Sequence, residues 1–237
     1  MFALTSAIMK STIQKIGSMN NNATLRFTPE GMTCNVVDGA HIAMVRLLID
    51  KDVFSEFDEE YKETLSVDVT KVEEVVNLSK NDEIISFGIN KKGQFEISFG
   101  SLSRTMALQP EQTEPKIPAL GYKTKIVLNK HRLTFAVKNT ALITDHMIIE
   151  AEDTGVTISA VGDIDRMRYS IPKELLLRYE FEDKKKSLYN LEYMKSIVSV
   201  LDDEIELSFN TDFPMVFNSN EGGVHTTFLL APRIETD

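Results

Sequence analysis

The chain has 237 residues, of which 42% are hydrophobic and 26% charged, and a formal net charge of −10 at pH 7. This is an ordinary globular composition with enough apolar side chains for one large core or two of usual size. It excludes a protein that coats nucleic acid with its whole surface. The single cysteine, Cys34, excludes an internal disulfide framework. No apolar run approaches the ~20 residues that a membrane helix needs. The N-terminal stretch MFALTSAIMKSTIQKIG has no basic start followed by a long apolar run, so no signal peptide is expected.

Residues 6–19 read as a helix: Ser6 can cap it, and Met9, Ile13 and Ile16 form an apolar stripe. TLRFTPEGMTCNVVDGAHIAMVRLLI then reads as two or three strands, punctuated by Pro29-Glu30-Gly31 and Asp38-Gly39 turns. TLSVDV leads into a second helix over 68–80, with Val69, Val72, Val75 and Val76 apolar. The strands EIISFGIN, QFEISFG and SRTMALQ follow. Residues 109–122, QPEQTEPKIPALGY, hold three of the seven prolines and no apolar period, which describes a stiff, exposed connector.

Beyond the connector the order repeats. KTKIVL is a strand and 129–144 a helix; MIIEAEDTGVTISAV, RMRYSI and LLLRYEF are strands and 188–201 a fourth helix; EIELSFN, PMVFNS and VHTTFLLAP close the chain. Gly31 and Gly155 are 124 residues apart, Ile84 and Ile205 are 121 apart, and TMALQP and TFLLAP are 122 apart. Such registration across every element points to an internal duplication, with halves 1–108 and 123–237 joined by 109–122. Each half reads as α+β, with two helices on one face of antiparallel sheets.

Charge separates with structure. The four expected helices carry +2, −1, +3 and 0, leaving −14 for everything else. Lys130, Thr134 and Lys138 recur every four residues and align in one polar stripe. Positive helices on an acidic molecule suit backbone contact with phosphate, and the absence of Arg/Asn/Gln clusters argues against base reading. There is no GxGxxG, GxxxxGK[ST], HExxH or CxxC, and the four histidines are scattered. Acids at 163–165 and 202–204 fall where turns are expected. Neither an enzyme nor a cofactor or metal is indicated.

DGAHIAMVRL at 38–47, PKIPALGY at 115–122, DFPMVF at 212–217 and LLAPRIE at 229–235, in that order on a two-copy chain, resemble the sliding clamps of the proliferating cell nuclear antigen (PCNA) family, the archaeal members most closely. The resemblance runs end to end. It implies two clamp half-domains per chain and a three-chain ring around duplex DNA, held without sequence specificity. A separate ATP-driven loader opens that ring. Subunits join edge to edge through Ser101–Leu108 of one copy, with Ser103, Thr105 and Ala107, and Glu174–Phe181 of the next, with Leu175, Leu177 and Tyr179.

The resemblance also implies a pocket for the Gln-anchored, aromatic-plug peptides of polymerases, flap endonucleases, ligases and loaders. Its matching positions are Val37, His41, Ile42, Met44, Ile117, Pro118, Tyr122, Pro214, Ala231, Pro232, Arg233 and Ile234. Lys10 and Lys138 match typical DNA-facing basic positions of the family. Lys15, Lys71, Lys80, Lys130, Arg132 and Lys195 join them by helix placement. Glu74, Asn77, Phe135 and Ser199 stand where the family often has basic or polar residues. The cell compartment implied is the cytoplasm of an archaeal-type cell, or the nucleus of a eukaryote, with no membrane partner. Two alternatives remain open at this point: a subunit of a mixed or specialised clamp, and a duplicated α+β protein–protein adaptor that never encircles DNA.

Overall fold

The computed structural model describes residues 1–61, 64–118 and 120–234. Ala119 of the connector and Glu235 of the C-terminal motif lie outside the described residues. The chain divides into two compact units, Met1–Lys116 with Asn220–Thr226, and Ile117–Ser219 with Thr227–Asp237.

Unit 1 contains β1 (Phe2–Thr5), α1 (Ser6–Gly17), β2 (Asn22–Thr28), β3 (Gly31–Val37), β4 (Ala43–Asp50), β5 (Thr64–Asp68), α2 (Val69–Val76), β6 (Ile84–Ile89), β7 (Phe95–Phe99) and β8 (Leu102–Met106). One sheet runs β1-β6-β7-β8 and a second β4-β3-β2-β5, with every registered pair antiparallel. α1 and α2 pack side by side. Period-2 alternation explains the sheets: Leu25, Phe27, Met32, Cys34, Val36, Val45, Leu47 and Ile49 are all buried on one face. α2 buries Val69, Val72, Val75 and Val76. Four β-branched residues make a poor isolated helix, so tertiary packing holds it. Its N-terminus is capped by Asp68, whose carboxylate accepts the Lys71 N–H at 3.2 Å. Burial pushes the Cys34 thiol up to about 12, which makes it an inert core group rather than a nucleophile.

Unit 2 repeats the plan with β9 (Lys125–Asn129), α3 (Lys130–Thr140), β10 (His146–Glu152), β11 (Gly155–Val161), β12 (Arg166–Pro172), β13 (Arg178–Glu180), β14 (Lys185–Asn190), α4 (Leu191–Val200), β15 (Glu204–Ser208), β16 (Met215–Glu221) and β17 (Val224–Leu230). Its sheets run β12-β11-β10-β14 and β13-β9-β15-β16-β17, and α3 lies beside α4. The hairpin tip at 220–226 belongs to unit 1, where the Asp50 N–H reaches the Gly223 carbonyl at 3.0 Å and His225 Nε2 sits 3.0 Å from the Asp50 carboxylate.

Two expected elements differ. LLLRYEF is not one strand: Lys173–Leu175 is a single 3-10 turn, and only Arg178–Glu180 pairs, against β9. The strand that mirrors β5 is β14, which lies partly inside the expected helix 188–201. Asn190 explains the true helix start. Its side chain accepts the Glu192 and Tyr193 N–H groups at 2.9 and 3.3 Å, so α4 begins only at Leu191. Asn190→Ala should cost about 1 kcal/mol of stability, read by urea denaturation; an unchanged midpoint removes the cap from the account.

Candidate partner-peptide groove

The connector is fastened at its start. The Gln109 N–H donates to the Ser66 carbonyl at 2.8 Å, and the Gln112 N–H to Thr24 Oγ1 at 3.0 Å. Arg26 donates to the Gln112 carbonyl at 2.8 Å and pairs with Glu111 and Glu114 at 3.4 and 3.9 Å; Asn35 donates to Glu114. Beyond Lys116 the chain passes into unit 2.

There, alternation along the strands sets up a groove. Ile126, Leu128, Ile205, Leu207, Met215, Phe217, Phe228 and Leu230 are buried in the core. The alternate residues Lys125, Glu206, Ser208, Val216, Asn218, Thr227 and Leu229 line the opposite face. Ile117, Pro118, Leu120, Gly121 and Tyr122 wall this face, leaving a cavity of about 440 Å³. Tyr122 is fixed by its hydroxyl, which donates to the Pro214 carbonyl at 2.7 Å, and by edge contact with Phe213 at 5.8 Å. Partial burial pushes its phenol up to about 12, so it stays a neutral donor. An apolar lining with a few hydroxyl and amide groups suits an extended peptide with a hydrophobic plug and one polar anchor.

The expected residues thus separate. Ile117, Pro118 and Tyr122 share this groove, and Pro214 anchors Tyr122. Ala231 and Pro232 continue from β17, half-buried. Arg233 and Ile234 instead line a second hollow of about 310 Å³ with Ile148, Leu188 and Lys186. The Arg233 N–H donates there to the Leu188 carbonyl at 2.7 Å, and its guanidinium lies 3.6 Å from Asp145. The hydrogen bond from His146, with help from Arg233, holds the Asp145 carboxyl below its usual range. Leu120, Val216 and Leu229 were missed from sequence. An apolar residue on the outer row of a strand, as Leu229 is between Phe228 and Leu230, is the signal that would have found Val216 and Leu229.

Val37, His41, Ile42 and Met44 belong to the β3–β4 turn of unit 1. Asp38 builds this turn, accepting the N–H groups of Ala40 at 2.9 Å, Ile42 at 2.7 Å and Ala43 at 2.8 Å. His41 is held at φ +58° and Ile42 is 38% exposed, whereas Met44 is buried.

The basic residues of the helices are largely occupied. Lys15 is a correction: it is 1% exposed and donates to Thr226 Oγ1 at 3.2 Å, so it faces the interior of unit 1 rather than a DNA-facing stripe. Lys10 donates to the Ser79 carbonyl at 2.6 Å, and Lys130 to the Leu201 carbonyl at 2.6 Å. Each lysine satisfies carbonyls just past the end of the neighbouring helix. Lys71 pairs with Asp68 at 3.3 Å and Lys195 with Glu192 at 2.7 Å. Arg132 donates to the Tyr169 hydroxyl at 3.4 Å. Lys80 lies beyond the end of α2, and Lys138 is exposed on α3.

Comparison with known proteins places this arrangement. A family model described as proliferating cell nuclear antigen, N-terminal domain, matches residues 3–102. A DNA polymerase sliding clamp of Methanococcoides burtonii is 30% identical over 238 residues, covering 97% of this chain and 96% of that protein. The chain belongs to the PCNA family of sliding clamps. A DNA polymerase sliding clamp of Methanocella arvoryzae is 29% identical over 243 residues, covering 99% of this chain and 98% of its own. The structure of A. fulgidus PCNA with the C-terminal region of FEN-1 bound matches with a TM-score of 0.92 at 24% identity over 100% of both chains, which shows the clamp fold. Members of this family are processivity factors and not enzymes.

On this PCNA-family chain the open sheet edges are informative. β8 ends its sheet and is exposed from Leu102 to Thr105, including Ser103; Ala107 follows it, also exposed. In unit 2 the open edge of the β10–β11 sheet is β12, and Leu175 and Leu177 stand outside any strand, each 54% exposed. Tyr179 turns inward, its hydroxyl donating to the carbonyls of Glu152 and, at 3.0 Å, Gly155. Of the expected edge residues 174–181, Arg178–Glu180 lie in a strand, β13, which ends its own sheet.

Proposed function

We propose that this chain is a non-catalytic DNA sliding clamp: copies close a ring around duplex DNA and tether replication and repair enzymes by peptide capture. End-to-end kinship with DNA polymerase sliding clamps carries this reading. The half-domains are 1–108 and 123–237, with 109–122 as connector. The groove beneath Ile117–Tyr122 takes the aliphatic–aromatic plug of a Gln-anchored peptide. The relative bound to the C-terminal region of FEN-1 supports a flap endonuclease as one such partner, and polymerase and ligase are read by analogy. Tethering acts through effective concentration: an enzyme that lets go of the DNA remains beside it. Loading needs an ATP-driven loader, since the chain has no nucleotide motif. No helix among the described residues is long and apolar enough to cross a membrane. The cytoplasm is the proposed compartment.

DNA is held loosely in this reading. Lys10, Lys130, Lys71 and Lys195 already have intramolecular partners, which leaves Lys138 and Lys80 as the freest to meet phosphate. Lys138→Ala should lower the salt slope of binding to linear duplex by about 1, the share of a single phosphate neutralised by one lysine; an unchanged slope removes Lys138 from the interface. Primer extension on a circular template, with a polymerase and loader from an archaeal relative, tests the function itself. The clamp reading expects longer products on adding this chain, and unchanged lengths contradict it.

A further inference from the structure

We infer that Arg26 is a positioning residue for peptide capture: with Asn35 it moors Glu114 of the connector, and this mooring sets how ready the groove wall is to receive a peptide. The inference rests on the reading that a peptide is captured beneath Ile117–Tyr122. It adds a residue outside the groove that governs the groove's affinity.

The outer face of unit 1 carries the mooring. Leu25, Phe27, Cys34 and Val36 are buried, so Arg26 on β2 and Asn35 on β3 stand on the opposite row of their sheet. The Arg26 side chain is only 19% exposed. Its guanidinium donates to the carbonyls of Gln112 at 2.8 Å and Thr24 at 3.4 Å. It also lies 3.4 Å from the Glu111 carboxylate and 3.9 Å from Glu114 Oε2, while the Asn35 amide donates to Glu114 Oε1. One planar fork thus ties β2 to the backbone of the connector and to two of its side chains, a reach that a lysine ammonium lacks.

The position of Glu114 gives this network its consequence. The backbone anchors of the connector, at Gln109 and Gln112, come earlier in the chain. Among the described residues, Glu114 is the last point held by a hydrogen bond or ion pair before the chain enters unit 2. The next are Gly121, whose carbonyl accepts from Asn210 Nδ2 at 3.3 Å, and Tyr122, bonded to the Pro214 carbonyl. Ile117, Pro118 and Leu120, which wall the groove, hang between these two moorings. Pro115 and Lys116 alone separate Glu114 from Ile117. Proline locks its own φ and keeps the residue before it extended, so a displacement of Glu114 is carried to Ile117 rather than absorbed. A wall already in place is not ordered at the moment of binding. A loose wall binds only for the fraction of time it is in place, and the apparent affinity falls by that fraction. Glu111 and Glu114 are 57% and 48% exposed, and ion pairs so exposed add little to global stability. The network therefore acts on the connector and not on the fold.

The test is fluorescence anisotropy with an uncharged Gln-anchored, aromatic-plug peptide, run beside trypsin cleavage after Lys116, on the full chain. Arg26→Ala and Glu114→Ala should each weaken binding by about threefold or more and speed cleavage, with melting midpoints near the wild type. The double variant should be no weaker than the worse single, because both changes release one mooring. Arg26→Lys should recover part of the loss. The advantage of the wild type over Arg26→Ala should shrink as salt screens the half-exposed carboxylates. If Arg26→Ala also unfolds early, Glu114→Ala decides, since its half-exposed side chain is dispensable to the core. Wild-type affinity in Glu114→Ala, or faster cleavage with unchanged affinity, overturns the inference and leaves the groove reading standing. So does a double variant whose loss is the sum of the two singles. If the wild type itself does not bind the peptide, the groove reading fails and takes this inference with it.

Discussion

Ile117→Asp should weaken binding of a Gln-anchored aromatic-plug peptide by at least tenfold, about 1.4 kcal/mol or more, measured by fluorescence anisotropy. The side chain is 40% exposed and walls the groove of unit 2, so its replacement leaves the fold intact while placing a charge against the plug. An unpaired carboxylate facing a desolvated aromatic ring is costly, and central apolar contacts carry most of the energy of such interfaces. Ile42→Asp, in the turn of unit 1, separates two possibilities. Loss of binding in both variants assigns Ile42 to peptide capture, and loss in Ile117→Asp alone confines capture to the groove of unit 2. If neither variant weakens binding, the groove is wrongly assigned.

Gly155→Ala should destabilise the protein by about 3 kcal/mol or more. Gly155 opens β11 at φ +137°, and a Cβ there falls 2.2 Å from the Ile171 carbonyl oxygen and 2.8 Å from the Lys173 nitrogen. Both neighbours are backbone in a paired strand and its exit, so relief requires β12 to move. Strain of this kind costs of order 1–3 kcal/mol before any clash is counted. Gly31 repeats the geometry at φ +150°, 2.0 Å from the Ile49 carbonyl oxygen, so Gly31→Ala should behave alike. For a chain of this size the melting midpoint should fall by about 10 °C. Gly39→Ala is the control: its Cβ meets no atom within 4 Å, and its midpoint should stay near the wild type. Equal midpoints for all three variants refute the strain argument.

The same two glycines made the duplication legible, because the backbone demands glycine at one place in each copy. The first two helices were legible from apolar periodicity, the other two from the repeated order of elements, and the connector from its prolines. β14 was hidden because KKSLYN opens with two consecutive lysines, shows no apolar–polar alternation, and runs straight into the helix-forming LEYMKSIV. LLLRYEF misled in the opposite way: its apolar run leaves Leu175 and Leu177 exposed around a buried Leu176. Lys15 looked like a surface residue because its partner Thr226 lies 211 positions away, a distance no local pattern can express. Leu229 escaped for a related reason: its role depends on a connector more than a hundred residues earlier folding over its strand.

The most direct test of the clamp reading is retention on DNA after loading. The chain is loaded onto nicked circular duplex by a clamp loader, washed in high salt, and measured again after the circle is linearised. A ring held by topology survives the salt wash on the circle and is lost from the linear form. Equal retention on both forms, or loss from the circle in salt, means that the chain grips DNA by contact or not at all and contradicts the clamp account.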